Sequence, residues 1–353
     1  LQNAGYRTAY FGKWHLGKEA IGVQGWHQEY GVAGEETTDD PEVTRRGMNF
    51  LQEVSDTDEP FALFLSYNNP HDVYHFGHES NPVPAEEDQA HVLPETWEQK
   101  RLSSVPRVQE QFMKEDQGHV IFGRERPGWE RYREIYREKV KKYDAEVGNV
   151  LGALEDQGLL EDTLVVITSD HGDMDTQHGL IFKGPFMYEH MVRVPLIVKL
   201  PGNSGQGTEI TFPTVNVDIA PTLADFAGAD IGESDGVSLK NLLTGEGQMP
   251  ERDFVVGQYY SKQKWVNPIR MIRTERYKYN LYRLHGEELY DLAQDPKEIY
   301  NVADNEAYAG VKESLYEQLI GWIEENNDPF FSQWPTDREG EPLATATEEE
   351  AEG

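Results

Sequence analysis

The chain has 353 residues and carries 64 Asp and Glu against 32 Lys and Arg, which gives a formal charge of -32. This balance excludes a nucleic-acid binder, because proteins that hold phosphate backbones concentrate Lys and Arg. The hydrophobic fraction of 37% is enough for a packed core. Cysteine is absent, which excludes disulfides and thiolate metal sites. No apolar run reaches the roughly 18 to 20 residues that a membrane span needs.

The first part of the chain predicts alternating strands and helices. Three runs have the apolar character of strands buried on both faces, at 61–67, 163–168 and 194–198. Two stretches have the apolar spacing of amphipathic helices, near 43–54 and at about 129–155. This alternation predicts an α/β fold with a mainly parallel sheet sandwiched by helices. The long segment from Pro70 to about Gly128 is rich in His, Pro and Glu and predicts a functional loop.

The pattern changes after about Pro250. Short runs typical of strands are separated by turn residues, at 254–257, 270–273 and 277–282. An amphipathic helix that carries Leu315 and Leu319 follows. We therefore expect a catalytic α/β domain at 1–250 and a small C-terminal antiparallel subdomain at 251–335. The acidic residues 336–353 are predicted to form a loose tail.

The sharpest chemical signal is Asp170-His171, which follows directly after a predicted buried strand. The carboxyl ends of parallel strands face the ligand crevice of such sheets, so these side chains can meet a metal or a substrate. A carboxylate suits Ca²⁺ or Mg²⁺, whereas imidazole also suits zinc, so the pair alone leaves the ion open. The alternative is a turn in which the Asp caps the next backbone segment.

Two further sites carry a basic side chain beside a predicted strand. Lys13 and His15 are two residues apart and share a face if their segment is extended. An ammonium beside an imidazole can hold a tetrahedral anion and move a proton, although a solvated strand end is the alternative. His71 follows the strand at 61–67, so three strand ends are expected to converge.

Histidines elsewhere allow other interpretations. His71, His75 and His78 have spacings of four and three, but Pro70 and Gly77 argue against the helix that would align them on zinc. We therefore expect a solvated or substrate-facing loop there. His178 and Lys183 follow the Asp170 pair on the loop that leads to the strand at 194–198. The alternative for Lys183 is an ordinary surface charge.

The segment Gly5–Gly17 resembles the second signature of the sulfatase family, in which the fixed positions are Gly-Tyr-x-Thr-x-x-x-Gly-Lys-x-His-Leu-Gly. Every fixed position is met. The resemblance continues over nearly the whole chain, through Pro70-His71, Ser169–Gly172, Lys183, Arg193–Val198, Glu288–Leu292 and Asp295-Pro296.

The resemblance implies an alkaline-phosphatase-like fold and hydrolysis of sulfate esters by a formylglycine nucleophile and a divalent cation, usually Ca²⁺. It implies that Lys13, His15, His71 and Lys183 are catalytic, and that Asp170 and His171 bind the metal. His171 stands where the family usually has Asn. The fixed cations suit a transition state whose charge lies on sulfate oxygens. A maturation system that makes formylglycine is implied as a partner.

The family's nucleophile and a metal-binding Asp pair lie in a region that would precede Leu1, and Ser104–Arg107 lacks one residue of the nucleophile motif. Leu1–Ala4 resembles the last turn of a helix capped by Gly5. We therefore expect this polypeptide by itself to be inactive and poorly folded. The compartment stays open.

Two residues are expected to contact the substrate. Tyr74 and His178 are predicted to bind substrate at the pocket mouth, where an aromatic and polar rim favours sulfated sugars over small aryl sulfates. Choline sulfate is the alternative, because an aromatic cage can hold its quaternary ammonium.

The rival functions are a phosphonate monoester or phosphodiester hydrolase of the same superfamily and a sulfatase-like protein that binds without catalysis. The carboxylate-rich composition resembles that of salt-adapted proteins.

Overall fold

A computed structural model describes residues 1–14, 26–33, 39–76, 92–98 and 105–343. The α-helices are α1 (Asp40–Ser55), α2 (Glu95–Glu98), α3 (Arg107–Glu115), α4 (Arg126–Asp156), α5 (Glu189–Val192), α6 (Ile219–Ala227), α7 (Lys240–Thr244) and α8 (Ala309–Glu325). The β-strands are β1 (Arg7–Trp14), β2 (Gln28–Ala33), β3 (Phe61–Ser66), β4 (Val165–Thr168), β5 (Leu196–Lys199), β6 (Phe254–Lys262), β7 (Trp265–Thr274), β8 (Tyr277–Tyr282) and β9 (Glu287–Asp291).

The chain forms two compact units, each built from three segments. Unit 1 comprises Leu1–Gln89, Arg131–Thr168 and Pro195–Glu251, and unit 2 comprises Ala90–Glu130, Ser169–Val194 and Arg252–Gly353.

Unit 1 contains a parallel sheet in the order β2-β1-β3. Helix α1 lies against β1 and β3. Its apolar side chains Val43, Phe50 and Val54 form a buried cluster with Ala9 and Phe11 of β1. The predicted strands and long helices are therefore found at the predicted places, and the expected parallel sheet is confirmed.

The pair β4 and β5 differs from a purely parallel arrangement, because Thr168 lies opposite Leu196 in an antiparallel register. A parallel pair needs a crossover connection, usually a long helix. The segment 169–195 holds a short 3₁₀ helix at Gln177–Gly179 and the four-residue helix α5, and neither is a long crossover helix. It leaves β4 and returns at the same end, and β5 runs back along β4.

Unit 2 contains the antiparallel sheet β6-β7-β8-β9. Helix α8 contacts β7 and β8, and its Leu315 and Leu319 share a buried cluster with Ile272, Tyr279 and Leu289 of the strands. The expected C-terminal antiparallel sheet and amphipathic helix are confirmed. No helix among the described residues is long and apolar enough to cross a membrane.

Gly5 and Gly12 of the signature segment are required for different reasons. Gly5 has φ 85° and caps a short 3₁₀ helix at Gln2–Ala4, and an added Cβ would meet no atom within 4 Å. Gly12 has φ 123° and lies between β2 and β3, where an added Cβ would stand 2.0 Å from the carbonyl oxygen of Ser66. Gly12 is thus required by a backbone contact, whereas Gly5 is required only by its conformation.

We expect Gly12→Ala to destabilise the fold by about 3 kcal/mol or more, since left-handed strain adds to a clash with the neighbouring strand. Gly5→Ala is the matched control and should cost only about 1 kcal/mol. Urea unfolding of both variants measures the difference, and equal costs would contradict this account of Gly12.

Candidate active site

The segment that carries His71 begins where β3 ends. A 3₁₀ helix at His71–His75 starts with a hydrogen bond from the His71 backbone N–H to the Asn68 carbonyl, 2.8 Å long. The ring of Tyr74 stacks on the imidazole of His71, with centroids 4.6 Å apart and an interplanar angle of 11°. Both side chains are half-buried. The stack fixes the plane of the His71 ring.

A buried carboxylate that no local sequence pattern indicates anchors this segment. Asp40, the first residue of α1, is 4% exposed. Its Oδ1 accepts the Asn68 backbone N–H at 2.7 Å, and its Oδ2 accepts the backbone N–H and the side-chain amide of Asn69 at 3.0 and 2.7 Å. Three donors on one carboxylate hold the turn that leads into His71.

Two other contacts fasten the same turn. Asp72 accepts hydrogen bonds from the Asn68 amide at 2.5 Å and from the ammonium of Lys139 in α4 at 3.3 Å. The hydroxyls of Thr44 and Tyr67 lie 3.0 Å apart, and burial raises the pKa of Tyr67 to about 12. Helices α1 and α4 thus both position the His71 segment.

Lys13 is the second-last residue of β1 and lies opposite Val32 in the register with β2. Its side chain is half-buried, and its carbonyl accepts a hydrogen bond from the Tyr10 hydroxyl. The predicted extended conformation is therefore present up to Trp14. His15 and His78 lie outside the described residues.

Asp170, His171 and Lys183 form one cluster in unit 2, directly after β4. The Nε2 atom of His171 lies 3.4 Å from Oδ2 of Asp170 and 2.6 Å from Nζ of Lys183. The Nδ1 atom lies 2.8 Å from the Gly172 carbonyl. Since that carbonyl can only accept, we assign the proton of a neutral ring to Nδ1, which leaves the Nε2 lone pair facing Lys183.

Charge and solvation favour an ionised Asp170. Its side chain is 82% exposed. Partial desolvation opposes ionisation, but electrostatic interactions with His171 and Lys183 and a hydrogen bond from the backbone N–H of His171 hold the pKa of Asp170 below its usual value. The loop therefore presents a carboxylate oxygen and an imidazole lone pair side by side.

This pair fits one edge of a cation site. Ligand distances of about 2.3 to 2.6 Å put neighbouring ligand atoms of a six-coordinate ion roughly 3.4 Å apart, which matches the observed separation of 3.4 Å. In the part of the chain that the structure describes, no group of three or more His, Asp or Glu side chains is placed to hold a metal. Binding of a cation by Asp170 and His171 stays a prediction.

The loop from β4 to β5 is built under steric constraint. Gly172 packs so closely on the His190 carbonyl that an added Cβ would lie 2.0 Å from its oxygen. Four non-glycine residues between His171 and Lys183 have positive φ, namely Asp175, Thr176, His178 and Phe182. Such conformations persist where the surrounding structure enforces them, and they cluster at functional sites.

His178 is half-buried in this loop. Its ring stacks on Tyr188 with centroids 4.1 Å apart, and its Nε2 atom is buried. Burial, with help from the charges of His190 and Lys278, lowers the pKa of His178 to about 3. The imidazole is therefore neutral at physiological pH, and its contact with substrate stays a prediction.

A buried charge cluster ties the loop to the C-terminal sheet of unit 2. Lys278 of β8 has no exposed side-chain area and pairs with Glu298 and, at 3.3 Å, with Glu189. Glu189 also pairs with Arg273 of β7 at 3.1 Å. The Glu298 carboxylate accepts the Glu189 backbone N–H at 2.7 Å. Each partner therefore fixes the start of α5 at the end of the loop.

The two carboxylates of this cluster differ in their proton affinity. Burial opposes ionisation of Glu189, but Lys278 and Arg273 hold its pKa below the usual value. Burial raises the pKa of Glu298 to about 7, although Lys278 acts in the opposite direction. Nothing in the local sequence indicates this cluster, since its members are 89 and 109 positions apart along the chain.

A match to a family model over residues 1–229 shows to which family the chain belongs. A family model described as Sulfatase matches residues 1–229, which is more than half of the chain. The chain belongs to the sulfatase family. A second model, N-sulphoglucosamine sulphohydrolase, C-terminal, matches residues 176–325. The resemblance seen in the signature segment is thereby confirmed.

Several curated sulfatases are similar to the chain. The Delta 4,5-hexuronate-2-O-sulfatase of Bacteroides thetaiotaomicron is 30% identical over 94% of this chain and 72% of that protein. The N-acetylglucosamine-6-O-sulfatase of the same organism is 29% identical over 96% of this chain and 73% of its own length. A choline-sulfatase of Rhizobium meliloti is 34% identical, but over 70% of this chain and 47% of that protein.

Solved structures agree with these relatives. A 2-O GAG sulfatase has a TM-score of 0.82 at 26% identity and covers 95% of this chain and 75% of its own. A relative solved with its substrate D-glucosamine-2-N,6-O-disulfate has a TM-score of 0.70 at 25% identity, covering 93% and 82%. The phosphonate monoester hydrolase of Agrobacterium radiobacter, with a TM-score of 0.70 at 21% identity over 98% and 82%, shares the fold. The protein is a sulfuric ester hydrolase with the alkaline-phosphatase-like fold.

We expect Asp40→Asn to lower kcat/KM at least about 10-fold, because an amide would place N–H donors against the donors that hold the His71 segment. The unfolding free energy should fall by about 1 to 3 kcal/mol. Asp39→Asn is the matched control, since Asp39 is exposed and its side chain makes no capping hydrogen bond. Steady-state kinetics and urea unfolding test both variants, and full kcat/KM in Asp40→Asn would refute the role of Asp40.

We expect the stability contributed by Glu298 to be lost as the pH rises. Its folded pKa of about 7 lies above the ordinary 4.5, so the folded state binds the proton more tightly. This contribution is full below about pH 4.5 and disappears as the pH passes through about 7. The unfolding free energy of the wild type relative to Glu298→Gln should fall by up to about 3 kcal/mol across this window.

Urea unfolding at a series of pH values measures that difference. Glu95→Gln is the control, because Glu95 is 53% exposed and pairs with the equally exposed Lys297. A difference between wild type and Glu298→Gln that stays constant with pH would contradict the raised pKa.

Proposed function

We propose that the protein hydrolyses sulfate esters of saccharides with the help of a divalent cation, which we assign as Ca²⁺. The observation that carries the proposal is the cluster of Asp170, His171 and Lys183 directly after β4. In it, Nε2 of His171 lies 3.4 Å from the Asp170 carboxylate and 2.6 Å from the Lys183 ammonium. The two relatives from Bacteroides thetaiotaomicron named above are both sulfatases of sugar units. Their similarity over nearly the whole chain supports the saccharide substrate class.

Each basic residue has a role at the sulfate group. Lys13 and Lys183 offer ammonium groups to sulfate oxygens, and fixed cations of this kind stabilise charge that develops in the transition state. The ring plane of His71 is set by Tyr74, so His71 binds a sulfate oxygen or, when its imidazole is protonated, gives a proton to the leaving-group oxygen to form the alcohol. Lys183 is the other candidate for that proton. His15 assists the nucleophile in the family, and we assign it the same role here.

Asp170 and His171 would hold the cation as one part of its shell. A cation at Nε2 would replace the hydrogen bond from Lys183, because both use the same lone pair. When bound, the ion polarises the sulfate group as a Lewis acid. A formylglycine residue made by a maturation system would supply the nucleophile. Tyr74 and His178 are proposed to contact the sugar.

The two rival functions, phosphonate ester hydrolysis and binding without catalysis, have weaker support. The likeness to a phosphonate monoester hydrolase is at 21% identity and supports the shared fold alone. A binding protein without catalysis has no need of Lys13, His71, Asp170 and Lys183 together, and all four are present. Sulfate ester hydrolysis is therefore the better-supported chemistry.

We expect Lys183→Ala to lower kcat for N-acetylglucosamine 6-sulfate by about 100-fold or more, as removal of one transition-state donor does in other enzymes. Lys297→Ala is the matched control, because Lys297 is 55% exposed and pairs with an exposed carboxylate. Sulfate release measures both. Faster turnover of a phenyl phosphonate monoester than of every sulfated sugar tested would overturn the proposed function.

A further inference from the structure

Glu288 in β9 is a fully buried carboxylate to which the proposed chemistry gives no role. Its Oε1 accepts hydrogen bonds from the side-chain amide of Gln109 at 2.9 Å and from the Tyr290 hydroxyl at 3.0 Å. Its Oε2 accepts them from the Asn280 amide at 2.9 Å and from the Tyr282 hydroxyl at 2.8 Å. Burial raises the pKa of Glu288, and these hydrogen bonds act in the opposite direction. Four donors on one buried carboxylate fix its position, because a donor that lost it would be left unsatisfied.

The carboxylate decides which way the amide of Gln109 points. Gln109 lies in α3 and is 1% exposed. A carboxylate oxygen accepts hydrogen bonds, so the amide nitrogen of Gln109 faces Glu288 and the amide oxygen points away from it. That oxygen accepts the hydroxyl of the buried Tyr188 at 3.1 Å. Glu288 therefore determines a hydrogen bond that holds the loop between β4 and β5, to which Tyr188 belongs.

Helix α3 contacts the same loop at a second point, one helical turn further along. The ring of Phe112 packs edge-on against Phe186, with centroids 5.3 Å apart. A Cβ added to Gly184 would lie 2.9 Å from two ring carbons of Phe112. Residues three apart lie on one face of a helix. The segment 184–188 is therefore held along one face of α3, directly after Lys183.

Lys183 lies between this segment and a closed turn. The backbone N–H of Met174 donates to the Phe182 carbonyl at 3.1 Å, which closes the turn before Lys183. The Nζ atom of Lys183 lies 2.6 Å from Nε2 of His171. A displacement of the segment 184–188 reaches this contact, because the backbone of Lys183 is continuous with it.

We propose that Glu288 is a positioning residue for Lys183. It fixes the Gln109 amide and, through it, Tyr188, and the segment held in this way keeps the Lys183 ammonium in place for the sulfate group. The inference rests on the proposed function, because Lys183 is the residue through which Glu288 acts on the reaction. It gives the C-terminal sheet of unit 2 a role in catalysis besides its own packing.

Nuclear magnetic resonance of protein labelled at its histidine nitrogens measures the placement of Lys183 without turnover. With a chelator present, the lone pair on Nε2 of His171 faces Lys183, and the chemical shift of this nitrogen reports whether it accepts a hydrogen bond. Lys183→Ala supplies the chemical shift without that bond. We expect Glu288→Gln to move the His171 signal toward this value. An amide in place of the carboxylate offers N–H groups to donors, which lets the Gln109 amide turn over.

Tyr282→Phe serves as the control, because buried Tyr282 donates to the other oxygen of Glu288. Its loss removes a hydrogen bond of the same carboxylate without reaching Gln109, so the His171 signal should stay at the wild-type position. Tyr188→Phe removes only the hydroxyl that donates to Gln109, and it should move the signal even if Glu288→Gln does not fold. A wild-type signal in folded Glu288→Gln or in Tyr188→Phe, or an equal displacement in Tyr282→Phe, would overturn the proposal.

Turnover tests the same role through non-additivity. When the region that carries the nucleophile is present, Glu288→Gln should lower kcat for N-acetylglucosamine 6-sulfate by about 10-fold or more, since small displacements of catalytic groups are costly. In the Lys183→Ala background the same substitution should cause no further loss, because it acts through Lys183. An equal fold-loss in both backgrounds is the result of a general structural effect and would refute the role in catalysis.

The two proposals can fail separately. A displaced His171 signal in Glu288→Gln, without release of sulfate from any sulfated sugar by the wild type, would sink the proposed function and leave the placement of Lys183 by Glu288 standing. Turnover of sulfated sugars by the wild type, with an unmoved signal in Glu288→Gln, would do the reverse.

Discussion

The buried ammonium of Lys278 is the constraint on which the loop between β4 and β5 depends. A lysine with no exposed side-chain area must be paired, and removal of one partner of a buried ion pair typically costs about 3 to 5 kcal/mol. Its partners Glu189 and Glu298 come from the end of this loop and from the segment after β9. The loop that carries Asp170, His171 and Lys183 is therefore fixed at one end by β4 and at the other by the C-terminal sheet. Four left-handed residues can persist between these ends because both are held.

The sequence predicted the elements whose signal is local. The strands β3, β4 and β5 are continuous apolar runs, and α4 has a long apolar spacing, so each could be located within a few residues. Strand β2, with the sequence Gln-Glu-Tyr-Gly-Val-Ala, has no such run and was not predicted. The direction of β5 depends on how the preceding loop returns, which periodicity does not encode.

The residues of the candidate site also differ in whether a local sequence pattern indicates them. Lys13, His71, Asp170, His171 and Lys183 could be named because they stand at strand ends inside recognisable motifs. Asp40 could not, because its role depends on two backbone N–H groups that lie 28 and 29 positions away. The stacking of His178 on Tyr188 could not be predicted either, because the two residues meet only when the loop folds.

A chain of charge -32 that acts on sulfate needs a local reversal of its overall field. The described residues of unit 2 offer a cation for this purpose in Lys183, whose Nζ lies 2.6 Å from Nε2 of His171. Short-range cations decide the potential that an anion meets in a site, whereas distant surface carboxylates are screened within about 10 Å at moderate salt. An acidic surface and an anionic substrate are therefore compatible in one protein.

The most direct test of the account is to measure released sulfate and bound divalent metal in the same samples of the wild type and of Asp170→Asn, with a sulfated amino sugar as substrate. When the region that carries the nucleophile is present, the account predicts that the wild type releases sulfate and retains metal, and that Asp170→Asn loses both, while the two proteins unfold at the same temperature once a chelator has removed the metal. Full sulfate release by Asp170→Asn, or metal retained at the wild-type level in an inactive variant, would contradict the assignment of Asp170 to the cation.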